Sequence, residues 1–208
     1  MDPETQAGQL QRLTDIREIE NLQGRYIYYV QSHDYDRILR MFARHDPEVS
    51  AEISSTGVYV GMEKIEALFT GMIKPLFTAP GSLPIHMLTT PVIEVDPGGL
   101  TATGMWQTLG CNAFPTATGH VAAWQQGKYD NAFVKEDGRW RFKRFRWLCN
   151  FRTAFDEGWV KQSLLDVGPL DLANFPEAMR PSRPSEPYPA YREDAAMDFG
   201  PPPPEPRP

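Results

Sequence analysis

Gly127-Lys128-Tyr129-Asp130-Asn131-Ala132-Phe133-Val134-Lys135-Glu136-Asp137-Gly138-Arg139-Trp140-Arg141-Phe142 is the stretch that decides how this chain folds. Glu136-Asp137-Gly138 is a hairpin signal, because Asp and Gly tolerate the positive φ of a tight turn. On its N-terminal side Tyr129, Asn131 and Phe133 fall on one face of a strand, since side chains alternate with period two. Two long strands, 120–135 and 139–150, therefore pair back to back. Working upstream, 100–114 and 85–95 read as two more strands, separated by the turn Asp96-Pro97-Gly98-Gly99. The second half of the domain is an antiparallel meander.

The first half reads differently. Ile16, Ile19, Leu22, Tyr26 and Val30 recur at spacings of three and four, which predicts an amphipathic helix over 13–31. A polar break, Gln31-Ser32-His33-Asp34, is followed by helical periodicity from Tyr35 to Phe42. Short strands are expected at 49–53 and 58–61, and a third helix at 62–74, ended or kinked by Pro75. Helices followed by a meander define an α+β domain.

The last part of the chain changes character. Residues 176–208 hold 11 of the 20 prolines, a composition that suits neither a helix nor a central strand. The plain expectation is a disordered or extended tail. The alternative is a strap across the domain or a neighbouring subunit, anchored by Tyr188 and Tyr191. The organisation expected is an arm at 1–12, a domain at 13–165 and a Pro-rich tail or strap at 166–208.

Composition narrows the function. A net charge of −6 lacks the Lys and Arg surplus that phosphate backbones require, which argues against nucleic acid and anionic membranes. No apolar run approaches the ~20 residues of a membrane span, and the first residues are polar, so a cytoplasmic location is the default expectation. Cys111 and Cys149 form no disulfide framework, and the four histidines show no ligand spacing, so no metal is expected. Aromatics at 12% and five Trp suit an apolar, aromatic-lined cavity.

Three stretches in order carry a family likeness. Ile19-x-x-Leu22-x-x-x-Tyr26 leads to Asp34-Tyr35-Asp36; Val58-Tyr59-Val60-Gly61 precedes Ile65; and Gly127-Lys128-Tyr129-x-Asn131 precedes Asp137-Gly138-Arg139-Trp140-Arg141-Phe142. Together, over roughly residues 13–150, they resemble the SnoaL-like branch of the nuclear-transport-factor-2-like superfamily. The resemblance implies a cone-shaped curved antiparallel sheet wrapped by N-terminal helices, with an apolar pocket at its open end. Within the superfamily the chain looks most like the lyases: scytalone dehydratase, hexachlorocyclohexane dehydrochlorinase and the γ-formaldehyde lyases of lignin-derived diaryl compounds.

That resemblance assigns His86 as the catalytic histidine. In the resembling enzymes an Asp near the end of the first helix partners it, and here that position is Gln31. A Gln orients a ring but supplies no charge, so either another acid serves, with Asp34 nearest, or the chemistry differs. Tyr26 is expected to point a phenol into the cavity. Tyr129, Asn131, Asn112 and Trp106 are expected at the substrate, with Asn112 where the dehydratase has a second histidine. Glu52 either enters the cone as an acid of raised pKa or faces solvent.

The expected activity is a cofactor-independent lyase on an apolar aromatic or cyclic molecule. It would abstract a proton with loss of formaldehyde, water or halide, in the breakdown of lignin-derived aromatics. An isomerase or cyclase would need Glu52 or Asp34 beside Tyr26. A non-catalytic binding or assembly module would pack His86 instead of exposing it to a void. By analogy the chain is expected to form a homodimer or homotrimer.

Overall fold

The computed structural model describes residues 3–116, 118–165 and 175–206. Helix α1 runs Pro3–Gln31 and α2 Tyr35–Leu39, with Asp34 capping α2 by accepting from Arg37 N at 3.1 Å. Strands β1 (Ser50–Ile53) and β2 (Val58–Val60) follow. Then come α3 (Met62–Glu66), a π-helical stretch Ala67–Ile73 and α4 (Lys74–Thr78). Four long strands complete the domain: β3 (Leu83–Val95), β4 (Thr101–Thr116), β5 (Gly119–Glu136) and β6 (Arg139–Ala154). They form one open, curved sheet in the order β2-β1-β6-β5-β4-β3. The α+β class and the meander agree with the sequence reading.

Some details differ from that reading, each for a physical reason. The first helix starts at Pro3 instead of near residue 13, because a proline is well placed in a first turn, where its missing N–H is not needed. Pro75 does not end the third helix. The wider π turns just before it relieve the clash between its ring and the preceding carbonyls, and α4 continues through it.

The core lies between α1, the 62–78 helical stretch and the concave face of the sheet. Ile19, Leu22, Tyr26 and Ile27 form the buried stripe of α1. Tyr26 packs on Phe145 with ring centroids 4.6 Å apart, and Phe42, Phe69 and Phe142 complete an aromatic cluster. Below it, Asp15 of α1 accepts from Lys135 Nζ at 2.6 Å and from Trp140 Nε1 at 2.9 Å, tying the helix to the β5–β6 hairpin.

The C-terminal segment, as far as it is described, lies as a strap along β2, β5 and β6. Val58 pairs with Arg183, and Lys64 Nζ donates to the carbonyl oxygens of Glu177, Ala178 and Arg180. Tyr188 donates its hydroxyl to Asn150 Oδ1 at 2.7 Å, and Tyr191 N donates to Asn150 O at 2.8 Å. The buried Lys128 donates to the Phe199 carbonyl and, at 2.7 Å, to that of Pro201. The start of the tail expected at 166 lies outside the described residues.

Candidate active site

One end of the concave face closes around a cavity of about 130 Å³. That is comparable to a cavity known to admit a benzene ring. Its walls include Tyr26 and Val30 from α1, Ile53 and the Ser54–Thr56 turn, Phe77, Phe114 and Trp147. Four polar side chains enter it from the sheet: His86, Gln125, Tyr129 and Arg152.

Cross-strand pairing sets them side by side. His86 on β3 pairs with Gly110 on β4, Gly110 with Gln125 on β5, and Gln125 with Arg152 on β6. Position 110 needs a glycine, because a Cβ there would lie 2.8 Å from the Ile85 carbonyl and 3.1 Å from the His86 ring. The row becomes a chain of hydrogen bonds. Arg152 Nε donates to Gln125 Oε1 at 3.1 Å, Gln125 Nε2 meets His86 Nε2, and His86 Nδ1 lies 3.2 Å from the Tyr129 hydroxyl. Tyr129 in turn hydrogen-bonds Tyr26. Trp147 packs its ring 5.3 Å from the imidazole and fixes its own orientation by donating to Thr108 Oγ1.

The direction of this chain follows from chemistry. A guanidinium has donors only, so the carbonyl oxygen of Gln125 must face Arg152 and its NH2 must face His86. The imidazole Nε2 is then an acceptor, and the proton of the neutral ring sits on Nδ1 toward Tyr129. Burial and the Arg152 charge both disfavour imidazolium and lower the His86 pKa to about 4. Burial also pushes both phenols up, so Tyr26 and Tyr129 remain protonated donors. His86 is thus a neutral, oriented imidazole whose basic lone pair is covered by an amide.

The candidate residues separate into two groups. His86, Tyr26 and Tyr129 come together at the cavity. Gln31, expected beside the histidine, is exposed at the end of α1 and does not line the cavity. Asp34, the substitute acid, is the cap of α2 and lies outside the lining as well. Glu52 follows neither Ile53 nor Ser54 into the cavity: alternation turns it to the opposite face, where it pairs with Arg146 at 2.9 Å. Asn131, expected at the substrate, is fully buried, donating to Gln23 at 2.8 Å and accepting from Arg146 N at 2.9 Å. Trp106 packs on Phe133 in the core. Asn112 is buried away from the cavity lining, and neither polar atom of its amide has a hydrogen-bond partner among the described residues.

Gln125, Arg152 and Trp147 were missed. His86 could be found by likeness to a motif, whereas these three become visible only through strand register. Among the described residues, no three His, Cys, Asp or Glu side chains gather as a metal site would need, and no helix is long and apolar enough to cross a membrane.

The model of the SnoaL-like domain matches residues 11–146, well over half of the chain. The chain belongs to the SnoaL-like family. No curated protein matches its sequence. Solved structures do share the SnoaL-like fold. The crystal structure of LinA superposes with a TM-score of 0.61 at 19% identity, covering 71% of this chain and 94% of that one. The hexachlorocyclohexane dehydrochlorinase LinA-type3 from Novosphingobium barchaimii gives 0.58 at 19% identity, covering 71% and 94%. A Novosphingobium aromaticivorans protein named for scytalone dehydratase gives 0.56 at 18% identity, covering 70% and 90%. At these identities the likeness is one of fold.

Proposed function

We propose that this SnoaL-like chain is a cofactor-independent lyase for a small aromatic or cyclic compound. His86 moves the proton, and formaldehyde, water or halide leaves. The observation that carries the reading is the oriented, neutral imidazole facing a ring-sized cavity that is otherwise mostly apolar. A binding module would instead fill that space, and an isomerase or cyclase of the expected kind would need a carboxylate in it; among the described residues none lines the cavity.

In an elimination, His86 Nε2 takes a proton from substrate carbon, the C–H pair becomes the new double bond, and the leaving group departs with its bonding pair. In the carbon–carbon version, Nε2 takes the proton of a hydroxymethyl group. The C–C pair then flows to the ring-bearing carbon as formaldehyde departs, and that carbon takes the proton back from the His86 imidazolium, so the product is lighter by formaldehyde alone. Either route requires the substrate to displace the Gln125 amide from Nε2. Tyr129 and Tyr26, as protonated phenols, stabilise developing negative charge on a substrate oxygen. The ring-sized cavity admits one aryl group. A larger diaryl compound, of the lignin-derived kind, would extend past Ser54, Ser55 and Thr56, which also line a neighbouring groove beneath the strap.

The test is incubation with diaryl propanediols, phenylcoumarans and hydroxylated cyclic compounds, read by mass spectrometry. A product lighter by formaldehyde, water or hydrogen halide is expected, with kcat/KM reduced by about 10²- to 10⁴-fold in His86→Gln. An unchanged mass with altered retention, or activity indifferent to position 86, sinks the reading.

A further inference from the structure

Among the described residues, Arg152 is the one charged side chain lining the cavity, and it carries no ion pair there. Its surroundings are unusual for an unpaired cation. The guanidinium lies 5.7 Å from the Phe114 ring and 6.0 Å from the Trp147 ring, so aromatic faces hold its plane. Its Nε is committed to Gln125, which leaves the two terminal NH2 groups without a hydrogen-bonding partner among the described residues. Arg152 is half-buried, and a guanidinium fork with free donors in such a place recognises a planar anionic group in a bidentate manner. Two other inward-turned cations are ion-paired, Arg146 with Glu52 and Asp130 and Lys135 with Asp15, whereas the buried Lys128 gives its donors to the carbonyls of Phe199 and Pro201.

We propose that the substrate is an aromatic or cyclic carboxylate, whose carboxylate docks on Arg152 and thereby frees His86. This rests on the lyase reading for its second half only. A carboxylate on the terminal NH2 groups draws the guanidinium away from Gln125 Oε1. With that anchor gone the Gln125 amide turns off His86 Nε2, and the lone pair becomes available. The same docking neutralises the charge that opposes imidazolium, so the base strengthens as the ligand arrives. The other groups around the imidazole are Tyr129, Tyr26, Gln125 and Trp147, none of them charged.

The probes are benzoate and its neutral isosteres, benzamide and methyl benzoate, titrated calorimetrically into the full chain. Benzoate is expected to bind about tenfold or more tightly than either isostere, as charge-assisted hydrogen bonds outweigh neutral ones. The preference should vanish in Arg152→Met, shrink in Arg152→Lys, which keeps the charge without the fork, and persist in His86→Gln. Arg152→Gln replaces the Met variant if the latter does not fold. Proton NMR of the His86 ring, followed with pH, should show its pKa rise with benzoate and not with benzamide. Equal affinities, or a preference that survives loss of Arg152, overturn the anion site. A benzoate preference without any change in the imidazole overturns the unlocking step. A preserved preference with no turnover of carboxylated compounds sinks the lyase reading and leaves the anion site standing.

Discussion

Arg152 possesses no acceptor atom, and this orients three neighbours in succession. Because Gln125 must present its oxygen to the guanidinium, His86 must remain unprotonated at Nε2, and the Tyr129 hydroxyl oxygen accepts the hydrogen bond from Nδ1–H. A neutral lock of this kind has a cost in acid. An imidazole near pKa 6.5 when unfolded and about 4 when folded takes its proton first in the unfolded chain. Nothing is lost above pH 6.5; as pH falls from there to about 4 the unfolded state is progressively favoured, by about 3 kcal/mol at the low end. Urea midpoints measured from pH 7 to 4 should therefore drop more steeply in the native chain than in His86→Gln. Parallel curves would mean that the imidazole is not held neutral. At this scale the sequence was half legible. His86, Tyr26 and Tyr129 carried recognisable spacing, whereas Gln125 and Arg152 are ordinary polar residues until their neighbours across the strands are known.

Strands explain why Arg152 was not legible: the strand expected over 139–150 continues to Ala154, and simple alternation along it would still have turned Arg152 away from the cavity. Trp147 and Arg152 are five residues apart, so a regular strand would send them to opposite faces, yet both line the cavity. The β5–β6 register slips at that point: Gly127 pairs with Cys149 and Gln126 with Phe151, leaving Asn150 as an extra residue. This β-bulge reverses the parity of everything after it. Gly127 opposite it has no room for a side chain, since a Cβ would lie 2.0 Å from the Leu148 carbonyl oxygen. The hairpin, the meander and the helix stripe were readable because period and turn chemistry are local. A bulge is a property of two strands, and neither sequence announces it. Helix α1 offers the test of element docking. Burial raises the Asp15 carboxyl pKa, but hydrogen bonds from Lys135, Trp140 and Gln11 more than offset this and hold it below its ordinary value. Asp15→Ala strands the Lys135 amine and the Trp140 N–H, at a cost of about 3 kcal/mol. Thermal unfolding should show that loss, and a change within error would mean the helix is held by its apolar stripe alone.

Across the whole molecule, the strap and the bulge meet at one residue. Asn150 donates its side-chain NH2 to Gln126 at 2.6 Å, accepts from Tyr188 on its side-chain oxygen and from Tyr191 on its carbonyl. The Pro-rich segment thus grips the place where β6 changes parity. Tyr188→Phe, which removes one of these bonds, is expected to lower stability by about 1 kcal/mol and to weaken benzoate binding along with it. Stability lost with affinity unchanged would show that the bulge needs no such grip. The match to the SnoaL-like domain ends at residue 146, before Trp147, Arg152 and the strap. A fragment trimmed to the family's limits would keep Tyr26, His86 and Tyr129 and lose the cation beside them, and its binding preferences would describe a different protein.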